Sequence, residues 1–252
     1  MDFIILGSLF DGPHIAYIVS SLGTTFFVLY MAMRFIKQQK FKDMFLKLWA
    51  WGTFFLHISP LWINFLKGDA PVAADNMLFP IYFCNLSMYL LLMVAIWGDK
   101  KTKAFSYLAT ITAYAGIFGA LISLFYPEYY LHGASIFEWG VFKSMLSHST
   151  MLTGCFYLFL GGYVKVELKN LLVYGVGLLG FGVIGILVNI TFSLAGLNAP
   201  NAMYLQHPPL AEAPFLNAPV IALIMEVLIL GVVSVYNLYT KKMVVKEKSF
   251  AA

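Results

Sequence analysis

Charge is what this chain has least of. Charged residues fill 11% of its 252 positions, against about a quarter in soluble proteins, while 61% are hydrophobic and 17% aromatic. That shortage excludes a soluble globular domain, and with it a nucleic-acid partner, which needs a basic surface. Cysteine is scarce as well. Cys84 and Cys155 both lie in apolar runs, which excludes a disulfide framework and leaves two free thiols. The opening MDFIILGSLF has no basic stretch and runs into Asp11, Pro13 and His14, so it is expected to lie on the outer surface rather than to be a cleaved signal.

What is there is apolar length. A hydrocarbon core of about 30 Å takes roughly 20 apolar residues per helical crossing. Seven runs qualify, at approximately 14 to 36, 44 to 66, 78 to 97, 104 to 126, 138 to 162, 171 to 195 and 218 to 240. Of the 16 Lys and Arg residues, all but Lys67 and Lys143 fall on one set of connections: Arg34 to Lys47, Lys100 to Lys103, Lys165 with Lys169, and the tail Lys241 to Lys248. The positive-inside rule makes that face cytoplasmic. Trp49, Trp51, Trp97, Tyr163 and Tyr239 then form an inner aromatic belt, and Trp62, Tyr126, Tyr129, Tyr130 and Trp139 an outer one. The expected fold is an all-α, seven-transmembrane-helix bundle with the N-terminus outside and the C-terminus cytoplasmic. It forms a single integral domain over 1–252, multi-pass in the cell membrane.

Several motifs that look specific are not. Gly175, Gly177 and Gly180 spell a dinucleotide-binding pattern, but that pattern needs a preceding strand and here falls within a span. Gly116, Gly119, Gly182 and Gly185 are read as sites of close helix approach. Asn85-Leu-Ser87 and Asn189-Ile-Thr191 match a glycosylation acceptor but sit inside spans. The seventh span contains no lysine to form a retinal Schiff base.

Ionisable groups inside hydrocarbon are costly and mark functional sites by default. Singly, each is more often satisfied by a neighbour. Together, His14, His57, Cys84, Asn85, Ser87, His148, Asn189 and Glu226 come from six spans and are all expected in the outer half, which points to a polar cavity open to the outside. The connection 196–217, rich in Pro and Asn, is a candidate cap over it. Cys84 and His148 are the pair with chemistry, because an imidazole that takes the thiol proton yields a reactive thiolate. Ser87 and Ser144 are placed to orient them, and Cys155 is too apolar in its surroundings to be the nucleophile.

The stretch Phe79-Pro80-Ile81-Tyr82-Phe83-Cys84-Asn85-Leu86-Ser87 resembles the Pro-x-His-x-Cys-x-x-Ser signature of the bacterial YwaF-like integral membrane proteins, relatives of the eukaryotic transmembrane protein 164 acyltransferases. Phe10-x-x-x-His14, His148 and Asn201-x-x-Tyr204-Leu205 followed by Pro208 extend the likeness almost end to end. The resemblance implies transfer of a fatty acyl chain between phospholipids through an acyl thioester, with Cys84 as nucleophile and His148 as general base. The chain departs at Tyr82, where that signature has His, and His57 is the candidate to supply the second imidazole.

Two readings stay open on the sequence. One is a thiol-dependent acyltransferase acting on a phospholipid or lysophospholipid without a cofactor, with Asn85 or Tyr82 steadying the oxyanion. The other is a non-catalytic binder or carrier whose ligand is held by His57, His148, Asn189 and Glu226. A zinc site from His14, His57, Cys84 and His148 is a third, minor possibility.

Overall fold

The computed structural model describes residues 7–67, 75–131, 135–210 and 212–250. The first six residues, and the side chains of Tyr129 and of the tail lysines from Lys241 onward, lie outside the described residues. Ten α-helices follow one another: α1 (Gly12–Phe35), α2 (Gln39–Ile58), α3 (Pro60–Lys67), α4 (Asp75–Leu78), α5 (Phe83–Ile96), α6 (Lys103–Phe125), α7 (Glu128–Leu131), α8 (Trp139–Leu160), α9 (Lys169–Leu194) and α10 (Ala218–Phe250). No strand occurs among the described residues. Helices α1, α6, α9 and the Ala218–Thr240 part of α10 are long and apolar enough to cross a membrane, and α5 is a shorter apolar helix.

Proline sets two of the boundaries. The apolar run 44 to 66 is broken where α2 gives way to α3, because Pro60 has no N–H and its ring clashes with the preceding turn. The Ser59 hydroxyl at that joint donates to the Leu56 carbonyl at 2.8 Å and accepts from Trp139 Nε1 at 3.0 Å. In the run 78 to 97, Pro80 biases Phe79 away from helix, and α5 starts only at Phe83. Its 14 residues are about 21 Å long, less than a hydrocarbon core.

The chain divides into two compact units, Met1–Val164 and Lys165–Ala252. In the first, α8 is the central helix, packed by α1, α2, α5 and α6. Leu91, Ala113, Met151, Leu152 and Leu158 are completely buried around it. Small residues let the helices close. A Cβ at Gly116 would lie 2.2 Å from Cys155 Sγ, and one at Gly119 would lie 3.2 Å from Cys84 Cα. Between the helices, Thr53 bonds Thr150 at 2.9 Å and Thr153 bonds Thr25 at 3.2 Å, bridges worth about 1 kcal/mol each in a membrane protein. At the end of the bundle where α2 begins and α8 finishes, Asp43 accepts from the Tyr163 hydroxyl at 2.6 Å and pairs with Lys100 at 3.3 Å.

In the second unit α9 runs unbroken through Gly175, Gly177 and Gly180, so the glycine pattern contains no strand-to-helix turn. It ends at Leu194 with Ala195 as its cap, and Gly196 takes a left-handed φ of 71° while the Leu197 N–H bonds back to Phe192. The connection then turns sharply: Asn201, Met203 and Tyr204 all adopt φ of 53° to 55°, a region that residues with side chains seldom enter. Gly185 accommodates this turn, since a Cβ there would meet Met203 and Leu205 at 2.8 Å, whereas Gly182 faces open space.

Candidate functional site

Because Pro80 delays the helix, Cys84 occupies the second position of α5 instead of lying one to two turns inside a longer span. The N–H groups of a first helical turn have no intrahelical acceptors and carry the positive end of the helix dipole. Those of Cys84 and Asn85 lie beside the Cys84 sulfur, and Ser123 on α6 is a further polar neighbour. The thiol proton itself is given to Asn85 Oδ1 at 3.2 Å. Gly119, four residues before Ser123 and so on the same face of α6, lets the start of α5 approach this closely.

Three basic groups form a cluster, and one of them, Lys143, is in range of the thiol. Lys143, read from the sequence as an outer flanking residue, is 3% exposed inside the bundle. Its Nζ donates to the His57 carbonyl at 3.4 Å and to Met77 Sδ at 3.7 Å. It is within electrostatic range of Cys84, His57 and His148, which makes it the common neighbour of the cluster. His148 Nδ1 donates to the Ser144 carbonyl at 2.6 Å, which fixes the tautomer and leaves Nε2 as a lone pair. His57 lies against the Met77 carbonyl. Both Nε2 atoms are buried without a hydrogen-bond partner among the described residues. Neither nitrogen of His148 is in hydrogen-bond contact with Cys84; the link between them runs past Lys143.

The remaining candidates fall elsewhere. His14 is fully buried and fully satisfied: Nδ1 accepts from the Phe10 N–H and Nε2 donates to the Leu124 carbonyl, both at 2.9 Å. It stitches α1 to the end of α6 beside Asp11, whose carboxylate takes the Tyr130 hydroxyl at 2.5 Å. That bond holds the Asp11 carboxyl below its ordinary range, and burial together with the same bond pushes Tyr130 up to about 12. Ser87 bonds its own helix at the Phe83 carbonyl, 2.8 Å away, and Ser144 orients His148 through its carbonyl. Tyr82 is the residue immediately before α5 and is half-buried.

In the second unit, Asn189 pairs with both backbone groups of Ala202, accepting at 2.9 Å and donating at 3.5 Å, and so ties the connection to α9. Asn201 organises the same connection by accepting from the N–H groups of Gln206 and His207 at 2.9 and 3.0 Å. Tyr204 is the last of its left-handed residues. Glu226 lies against the bare Cα of Gly175, where a Cβ would be 2.9 Å from Oε1, and that oxygen has no hydrogen-bond partner among the described residues. No group of three or more His, Cys, Asp or Glu is placed to hold a metal ion among the described residues, and the occupied nitrogens of His14 remove it from the zinc set.

Two residues of this site are not evident as such in the sequence. Lys143 carries a signal in hindsight: a lone lysine four residues before Ser147 and seven before Thr150 lies on one helical face with them, and that face is buried. Ser123 is marked only by its spacing from Gly119.

An all-helical chain with several membrane-length helices and a buried thiol, lysine and imidazole cluster is a membrane protein. It belongs to the TMEM164 family, whose model matches residues 9–237. No curated protein and no solved structure matches the chain.

Proposed function

We propose that this chain is an acyltransferase of the cell membrane, kin to the YwaF-like proteins, that moves a fatty acyl group between lipids through a thioester at Cys84. It crosses the bilayer seven times with its N-terminus outside. The distribution of Lys and Arg supports that orientation, and the broken second and short third crossings are accommodated by α2 with α3 and by α5.

One observation carries the reading: the Cys84 sulfur sits on the first turn of α5, beside its main-chain N–H groups and within range of the Lys143 charge. Burial disfavours a thiolate here, and the α5 N–H groups and Lys143 offset part of that cost, so the thiol reacts as a neighbouring base takes its proton. We assign the thiol proton to His148 Nε2, whose lone pair is unoccupied, although it makes no direct contact with Cys84 in this structure. The thiolate attacks the ester carbonyl carbon, and the oxyanion forms beside the α5 N–H groups and Lys143, where one well-placed donor is worth about 10²–10³ in rate. Collapse breaks the C–O bond, the departing lipid oxygen takes the proton back from His148, and the acyl group remains on Cys84 as a thioester. Asn85 and Tyr82, flanking the thiol, line the carbonyl position.

Intact-protein mass spectrometry after incubation with phospholipid vesicles tests this. The expected result is an added acyl mass on the wild type and none on Cys84→Ser, with both proteins folded. An unmodified wild type, with Cys84→Ser silent and Glu226→Gln damaging, favours the non-catalytic binder.

A further inference from the structure

The joint between α1 and α2 leaves a hollow on the outside of the first unit. Both helices pack on α8 more than on one another. Between them runs a groove of about 400 Å³, within the roughly 300–1,000 Å³ of small-molecule sites. Phe27, Met31, Ala32 and Phe35 of α1 and Phe45 of α2 line it, and every lining side chain is apolar. Ala32 is its floor at 3% exposure, while Phe27 and Phe35 stand out at 63% and 70%.

The groove reaches Ile36, where the chain turns toward α2, and that turn is strongly basic. From Arg34 to Lys47 there are five basic residues and one acid, a surplus equal to the +4 of the whole chain. The acid is engaged, since Asp43 pairs with Lys100 and accepts from the Tyr163 hydroxyl. Arg34, Lys37 and Lys40 are exposed, and Gln38 gives the first turn of α2 no side-chain cap. The basic pair at the start of α9 differs, because Lys169 is neutralised by Glu167 at 2.5 Å. A narrow apolar slot that opens on unpaired positive charge is complementary to an amphiphile with a hydrocarbon tail and an anionic head. A protein helix fits less well. It is about 10 Å across, and helices meet in membranes through small residues, whereas phenylalanines stand along this slot.

We propose that the groove holds one acyl chain of an anionic phospholipid, with the lipid phosphate against Arg34, Lys37 and Lys40. The lipid comes from the leaflet at the α1–α2 joint, cytoplasmic in the proposed topology. Its tail fills the gap between the helices, and its head spans the end of α1 and the start of α2. The site is separate from Cys84 and independent of the acyl-enzyme reading.

Native mass spectrometry of the full chain in dodecyl maltoside, titrated with dioleoylphosphatidylglycerol or dioleoylphosphatidylcholine, tests this. The expected result is one phosphatidylglycerol held in preference to phosphatidylcholine. Each basic residue near a lipid phosphate is worth about fivefold in affinity, so the triple variant Arg34→Gln, Lys37→Gln, Lys40→Gln should lose at least about tenfold for phosphatidylglycerol. Met31→Trp fills the slot from its half-open side and should release the bound lipid with every charge in place. Lys101→Gln, Lys103→Gln and Lys165→Gln together remove three charges elsewhere and should leave binding near wild type. Equal binding of the two lipids by the wild type overturns the inference. So does an equal loss in the two triple variants, which marks a diffuse charge effect, or undiminished binding in Met31→Trp, which empties the groove of its role. A wild-type dimer that Met31→Trp splits into monomers makes a second copy of the chain the occupant and also overturns it.

Discussion

Gly116 and Cys155 make an interlock whose energetics can be worked from distances alone. A Cβ added at Gly116 would stand 2.2 Å from Cys155 Sγ, 3.3 Å from its Cβ and 3.6 Å from Met151 Cγ. The sulfur is completely buried and donates to the Thr112 carbonyl at 3.5 Å, so it has nowhere to swing without displacing α6. Gly116→Ala therefore overpacks the α6–α8 contact, at a cost of about 1–3 kcal/mol. In a Cys155→Ala background the 2.2 Å clash vanishes, and the 3.3 Å contact with the residue-155 Cβ is relieved by a shift of a few tenths of an ångström. There the same substitution gains the helix propensity of alanine over glycine, about 1 kcal/mol. The sign of Gly116→Ala should reverse between the two backgrounds, a coupling that a double-mutant cycle reads directly. Reversible unfolding in SDS and dodecyl maltoside mixtures measures it. An equal loss of stability in both backgrounds refutes the close packing and reopens Cys155 as something other than a core residue.

Asn189→Ala removes both bonds to the Ala202 backbone and leaves a buried N–H unpaired, a loss of about 1–3 kcal/mol; limited proteolysis should cut within 196–217 faster, and an unchanged cleavage rate counts against the tether. Asp11 titrates the other way from a buried base. Its carboxyl is held below its ordinary value chiefly by the Tyr130 hydroxyl, so the stitch is fully present above about pH 4 and is lost as pH falls through the lower folded-state value. Tyr130→Phe should flatten the acid limb of a thermal melting series from about pH 6 to 3, and an undiminished slope refutes that assignment.

Much of the fold is legible as apolar length. The runs around 14–36, 104–126, 138–162, 171–195 and 218–240 coincide with α1, α6, α8, α9 and α10 to within a few residues at their starts, because in each the pattern is uninterrupted and polar residues stand at the borders. The tail is the exception: α10 continues to Phe250, past the apolar part, because nothing helix-breaking follows Tyr239. Local breaks read less well, since hydropathy averages over them. Ser59-Pro60 and Phe79-Pro80 are short against a window of about 19 residues, yet they decide where α3 and α5 begin. The site divides in the same way. Cys84, His57 and His148 stand out as chemistry in an apolar setting, while the satisfied state of His14 depends on the Leu124 carbonyl, 110 positions away, which no local pattern shows. Lys143 was legible as a charge but not as a buried one, because a lysine near a helix start ordinarily reaches for the interface.

On the proposed acyl-enzyme reading, the 14-residue length of α5 bears on what can compete for an acyl group at Cys84. If Trp97 keeps its end of α5 at one interface, the sulfur stands roughly 9 Å short of the opposite one, the difference between a 30 Å core and a 21 Å helix. Bulk water is rare at such a depth, whereas a lipid brings its own hydroxyl there by lying in the leaflet. A shortened helix thus acts as a depth gauge. On that reading it favours passing the acyl group from one lipid to another over spilling it by hydrolysis.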